Sequence, residues 1–233
     1  TGRNSPENTE LARMVKEGVF GAVTMAHLRV SHTNLVTRKR EDGYWRKSAA
    51  RVGGGSFIQL GIHAVHQIQW ILGSDIVRAS AFSKNLAMQD LIEGEDSTVA
   101  AVEFASGALG SITSSYSTEG HAFAIYGTRG FFQDDGLGGF ALKLDAPYPG
   151  EAFAYATPGE IIHVGEADRK GAPRRKELGE RCEQRRAFVR AVLEGGPAPV
   201  PGELGLRDVR VVEAVYRSSK ERRVVDVAEI SLE

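Results

Sequence analysis

STVAAVEFASGALGSITSSY, residues 97–116, decides how this chain folds. Two runs rich in small, β-branched and aromatic residues flank ASGA, a turn so tight that the second run must return antiparallel to the first. We read strands over 97–104 and 109–116. In the first, Val99 and Ala101 point one way while Ala100, Val102 and Phe104 point the other. A strand that is apolar on both sides needs cover on both.

Working outward, the same signals place strands at 22–32, 76–83, 122–126, 130–133, 141–144 and 161–164, with a last one in RRVVDV, 222–227. YGTRG supplies a second tight turn. Helices are expected at the start, where Ser5 can cap, Pro6 takes the first position and Gly18 stops the run, and at 58–72, 178–193 and 203–218. Helices can cover one side of such a sheet. The other side, dressed in small residues around Ser111, Thr113 and Ser115, is a candidate for packing against a second subunit; alternatively the chain ends wrap round to shield it. The fold class expected is α+β: an open, predominantly antiparallel sheet with helices packed on one face.

The 233 residues are 42% hydrophobic and 25% charged, enough to fill one large core. Lys and Arg total 29 against 30 Asp and Glu, and only the segment 169–176 concentrates one sign, which argues against nucleic acid or a charged membrane as partner. A single cysteine, Cys182, excludes an intrachain disulfide. No apolar run reaches the ~18 residues of a membrane span, and TGRNSPENTE has nothing of a secretory signal. The cytoplasm is the expected compartment.

The helix at 58–72 is apolar almost all the way round yet carries two imidazoles. At about 100° per residue, Gln59, His63, His66 and Trp70 share a sector of about 60° between two apolar flanks. A narrow, uncharged polar seam suits a helix that lines a ligand cleft; core histidines satisfied by backbone carbonyls are the other reading. Metal ligation finds no third ligand at a recognisable spacing, since His27, His32, His121 and His163 are scattered through presumed strands. Gly53–Gly55 precede the helix without the strand and spacing of a phosphate loop. The stretch GLGGFA, 136–141, matches a dinucleotide pattern on paper, but Asp134 and Asp135 would repel a pyrophosphate and FALKLD reads as a strand.

VKEGVFGAV, YWRKSAARVGGGSFIQLGIHAVHQIQWILG, EFASGALGSI, IYGTRGFF and FVRAVLEGGPAPVPGELGLRDVRVVEAVYRSSKERRVVDV follow one another here. In that order they resemble the Gfo/Idh/MocA oxidoreductases, the glucose-fructose oxidoreductase and inositol dehydrogenase group, over almost the whole chain. The resemblance implies a C-terminal domain over 21–233 that binds a sugar or polyol on its helix side and forms a homodimer or tetramer through its sheet. Residues 1–20 are then the remnant, the last helix, of an N-terminal Rossmann domain that binds NAD or NADP. That domain also carries the family's lysine beside the nicotinamide, so this chain alone is expected neither to bind the dinucleotide nor to turn over.

The family's helix has Asp, three residues, then a His that transfers a proton; His63 matches the histidine, Gln59 stands for the aspartate, and His66 replaces a second common Asp. An amide can orient an imidazole without raising its pKa, so His63 should stay neutral near pH 7 and act as the base, with Gln59 and His66 orienting substrate or base. Arg46, with Trp45 and Tyr44, could reach a substrate hydroxyl, phosphate or carboxylate, or Arg46 could form a surface salt bridge. The competing function is a non-catalytic sugar-binding or dimerisation module derived from the same family.

Overall fold

The computed structural model describes residues 3, 5–33, 44–136, 138–148, 153, 156–165 and 177–231, with 177–181 by backbone alone. The basic stretch 169–176 lies outside the described residues. In chain order the elements are α1 (Pro6–Lys16), β1 (Val23–Ser31), a 3₁₀ turn (Trp45–Lys47), α2 (Ala49–Val52), a π turn (Phe57–Gly61), α3 (Ile62–Leu72) and β2 (Ile76–Lys84). Then come β3 (Ser97–Phe104), β4 (Leu109–Ser115), β5 (Gly120–Gly127), β6 (Gly130–Asp134), β7 (Phe140–Leu144), β8 (Ile161–Val164), α4 (Glu177–Glu194), α5 (Gly202–Glu221) and β9 (Val225–Asp226).

The strands form one sheet in the order β8-β7-β6-β5-β1-β4-β3-β2-β9. All described neighbours run antiparallel except β1 and β4, which are parallel with Met25 opposite Leu109 and Ser31 opposite Ser115. The sheet is open and predominantly antiparallel, as the alternation in 97–116 implied. Ala26 and Leu28 of β1, Ala100 and Val102 of β3, and Ile112 of β4, all even-numbered, are buried on the helix side. Leu11 and Met14 of α1, Val65, Ile68 and Ile71 of α3, and Val211, Val212 and Val215 of α5 complete that core. Each of the Leu, Ile, Val and Met side chains contributes about 1.5–3 kcal/mol on burial.

Alanines at 79, 81 and 100 leave room for α5 to lie close to the sheet. At that distance its serines reach the backbone: Ser218 Oγ accepts from Ala81 N at 3.1 Å, and Ser219 Oγ from Ser83 N at 2.9 Å. These are amides β9 does not pair, so the helix closes part of a sheet edge. α4 stands off: Phe188, Val189, Val192 and Leu193 are all exposed. The last strand is shorter than RRVVDV suggests, because Asp226 and Glu229 form a capping box that turns the chain into a 3₁₀ helix at Val227. Among the described residues no helix is long and apolar enough to cross a membrane.

The three glycines before α3 answer to different constraints. Gly53 closes α2 in the left-handed region (φ 89°), where a Cβ would meet nothing. Gly55 passes so near the β2–β3 connection that a Cβ would stand 1.9 Å from Glu95 O. That approach lets the Glu95 carboxylate accept from Gly55 N (2.8 Å) and Phe57 N (2.7 Å), while Tyr216 of α5 donates to it at 3.0 Å. Tyr216 Oη in turn accepts from Ile58 N at 3.0 Å. The free amides at the start of this helix thus bind an anion that the chain itself supplies.

Equilibrium urea unfolding should separate the glycines. Gly55→Ala is expected to cost about 3 kcal/mol or more, through collision with backbone, and Gly53→Ala about 1 kcal/mol, through φ alone. Equal losses would refute this account of the close approach.

Candidate functional site

The expected seam on the helix is divided in two by the structure. A π turn at Phe57–Gly61 opens the helix, with Gly61 so close to Phe57 that a Cβ would lie 2.5 Å from its ring. One residue per turn is added there, a distortion common at functional sites. At the C-terminal end of the seam, Arg3 lies across it: its Nε donates to His66 Nε2 at 3.0 Å and its guanidinium sits 5.4 Å from the Trp70 ring centre. His66 Nδ1 meets Asp208 Oδ2 at 2.5 Å, so both ring nitrogens are engaged. Burial is the largest cause that lowers the pKa of Arg3, followed by the field of Arg207.

The N-terminal end is open. His63 is exposed along one edge, yet the protein around it disfavours the charged ring; that desolvation, with the fields of His66 and His32, lowers its pKa from 6.5. Gln59 is half-buried, and its Nε2 donates to Arg46 O at 3.2 Å. Gln59 Oε1 is buried with no partner among the described residues.

Two residues that the sequence did not single out stand beneath this end. Parallel pairing brings the C-terminal ends of β1 and β4 side by side, and His32 N donates to Ser115 O at 3.1 Å. His32 and Tyr116 therefore follow each other on the helix side of the sheet, in line with the alternation of β1 and β4. His32 Nδ1 and Tyr116 Oη are buried and, like Gln59 Oε1, without a partner among the described residues. Tyr116 packs against Leu60, Met88 and Ile92, and burial pushes its hydroxyl pKa up while the nearby Arg46 pulls the other way. Native interiors leave few such atoms, and three of those among the described residues gather around one helix start.

Tyr44 and Trp45 line an adjoining hollow of about 440 Å³ whose opposite wall is Gln89–Glu93. The Arg46 guanidinium stacks over Trp45, 5.1 Å from its centre. Neither His63 nor His66 lines that hollow. One turn along α3 from His63, Gln67 borders a second hollow of about 220 Å³ with Asn8, His121 and Asp134. Among the described residues no three His, Cys, Asp or Glu gather closely enough to hold a metal. At the glycine pattern, Gly136 N donates to Asp134 Oδ1 at 2.6 Å, and Phe140–Leu144 are β7, a strand where a dinucleotide pattern would need a helix.

Sequence spacing could find the helical members, Gln59 and His63, because they lie within one turn. It could not find His32 and Tyr116, which are 84 residues apart and become neighbours only through the one parallel pair, nor Asp208 and Arg3.

Comparison with known proteins agrees with this architecture. The structure of aldose-aldose oxidoreductase from Caulobacter crescentus complexed with glycerol superposes with a TM-score of 0.76 at 24% identity, covering 97% of this chain and 62% of that one. An NAD binding oxidoreductase from Klebsiella pneumoniae gives 0.75 at 19% identity, covering 97% and 64%. An oxidoreductase from Agrobacterium radiobacter in complex with NAD+, L-tartaric acid and magnesium gives 0.73 at 17%, covering 97% and 63%. The chain thus spans less than two thirds of the length of these structures. Residues 12–227 match the family model for the C-terminal alpha/beta domain of the Gfo/Idh/MocA oxidoreductase family, and the chain belongs to that family.

Proposed function

We propose that this chain is the substrate-holding part of an NAD(P)-dependent oxidoreductase that moves hydride between a nicotinamide and a sugar or polyol carbon bearing a hydroxyl. Residues 1–20 are then the end of the nucleotide-binding domain, and 21–233 the domain that binds substrate and joins subunits. The observation that carries the reading is that Gln59 Oε1, His32 Nδ1 and Tyr116 Oη, gathered near His63, are buried without a partner among the described residues. Gln59 Oε1 can only accept, so its partner must bring a donor; a hydroxyl does so, whereas a carboxylate or phosphate oxygen does not. Tyr116 Oη and His32 Nδ1 can each give or take a proton in a hydrogen bond, which suits neighbouring hydroxyls. The glycerol and L-tartaric acid named with two of the similar structures are hydroxylated molecules, in keeping with that requirement.

The dinucleotide, held by the nucleotide-binding domain, would supply the hydride acceptor or donor. His63 takes the alcohol proton, a role that its lowered pKa supports because the neutral ring is the base. Gln59 holds the reacting or adjacent hydroxyl, and His66 orients the helix through its own partners. Trp45 and Tyr44 hold the remainder of the substrate along the adjoining hollow, where aromatic rings can cover a sugar face, and Arg46 backs Trp45 through its stacked guanidinium. The free, exposed Cys182 is compatible with a reducing cytoplasm.

The open face of the sheet supports a subunit contact. Val99 and Leu109 are each 57% exposed there and Phe82 73%, around Ser111 and Thr113. Apolar side chains on an uncovered sheet favour pairing with a second copy.

Three experiments test these assignments. In the full-length protein His63→Ala should lower alcohol oxidation about 10²–10⁴-fold, and the acid limb of the wild-type kcat/KM profile should lie below pH 6.5. Unchanged turnover would remove His63 from the mechanism. Tyr116→Phe deletes a hydroxyl with no partner among the described residues, so stability should hold or rise, by up to about 1 kcal/mol, while polyol binding weakens; a marked drop in melting temperature would show the hydroxyl to be structural. Sedimentation should find a dimer or tetramer that Val99→Glu with Leu109→Glu converts to a folded monomer, and a monomeric wild type would refute the sheet contact.

A further inference from the structure

Asp208 of α5 begins a chain of polar groups that ends on the first described residue. It is buried, and both oxygens are used. Oδ1 accepts from Gln69 Nε2 at 2.9 Å and from Arg207 Nη2 at 2.9 Å, and Oδ2 is 2.5 Å from His66 Nδ1. Gln69 is itself fixed, its Oε1 accepting from Ile76 N at 2.8 Å. Arg207 is shared with Asp75, at 2.8 Å.

Across the imidazole, Arg3 Nε stands 3.0 Å from His66 Nε2. An arginine has donors only, so Nε2 must accept and the ring proton must sit on Nδ1, where Asp208 takes it. The partners thus determine the tautomer. His66 and Trp70, four residues apart on α3, form a seat for the Arg3 guanidinium that contains no carboxylate; the negative charge lies one ring further in.

We propose that Asp208 is a positioning residue: it fixes His66 in the Nδ1–H form and so holds Arg3, and with it the approach of α1, on α3 within one turn of His63. Without the carboxylate the ring is free to carry its proton on Nε2, which sets a donor against a donor. Arg3 then loses its seat, and α1 is left on α3 with the Gln67–Asn8 hydrogen bond and its apolar contacts, Leu11 and Met14, with the core. The tautomer follows from geometry alone; its effect on turnover rests on the reading of His63 given above.

Two measurements test the proposal. The first is imidazole nitrogen NMR on the ¹⁵N-histidine-labelled 233-residue chain, which should show His66 protonated at Nδ1 and bare at Nε2, and a mixture of forms in Asp208→Asn. Arg3→Ala should leave the Nδ1–H form in place, because Asp208 remains. The second is turnover of the full-length protein: Asp208→Asn and, independently, the non-core variant Arg3→Ala should each lower kcat about tenfold with KM within about twofold. His66→Asp combined with Asp208→Asn places a carboxylate directly under Arg3 and should restore kcat. A wild-type Nε2–H ring, or a tautomer unaltered in Asp208→Asn, overturns the proposal, as does normal kcat in Arg3→Ala. If His63→Ala leaves turnover unchanged, the site reading falls while the NMR result still decides the tautomer.

Discussion

The Glu95 carboxylate joins the parts of this fold that have to meet. It comes from the connection between β2 and β3, satisfies the first amides of the central helix, and takes the hydroxyl of Tyr216 from α5. A carboxylate buried this far is costly to keep charged, and desolvation raises its pKa; the donors arrayed around it oppose that shift. The close passage of Gly55 and Gly94 lets all of them converge, since a Cβ on either would enter the other strand of backbone. The direction of α3, and so of Gln59 and His63, depends on that junction.

Much of the fold was legible because each half of the problem is local. The alternation in 97–116 implied strands, and ASGA implied that they return on each other; β3 and β4 pair with Ser97 opposite Ser115, helices cover one face, and Val99 and Leu109 remain exposed on the other. The helix at 58–72 was visible by its apolar flanks. What a uniform 100° rotation could not show is the π turn, where Phe57 packs over Gly61, a contact that periodicity does not encode. Nor could periodicity foresee α4 standing clear of the sheet with Phe188 and Leu193 exposed.

The candidate site was half legible for the same reason. Gln59 and His63 share one turn and were found by spacing. His66 and Trp70 belong to the same stripe, yet their partner Arg3 comes from the far side of α1, and Asp208 from 142 residues on. One stripe therefore serves two purposes, an open end and a covered end, and only the tertiary partners distinguish them. Sequence spacing leaves His32 among the scattered strand histidines and Tyr116 as no more than a strand end, because a residue at the end of a strand announces nothing until its neighbour is known.

The parallel pair has a kinetic consequence. β1 is made early but lies between β4 and β5, strands that follow each other closely in the chain. Hairpin contacts such as β2–β3 and β5–β6 close short loops, whereas inserting β1 requires a closure of roughly 80 residues, which raises the entropic cost and slows the step. Until it arrives, β4 and β5 each present a bare edge to any other nascent chain. Rapid production of the protein should therefore favour strand exchange between copies at this central gap, and slower synthesis or chaperone binding should suppress it.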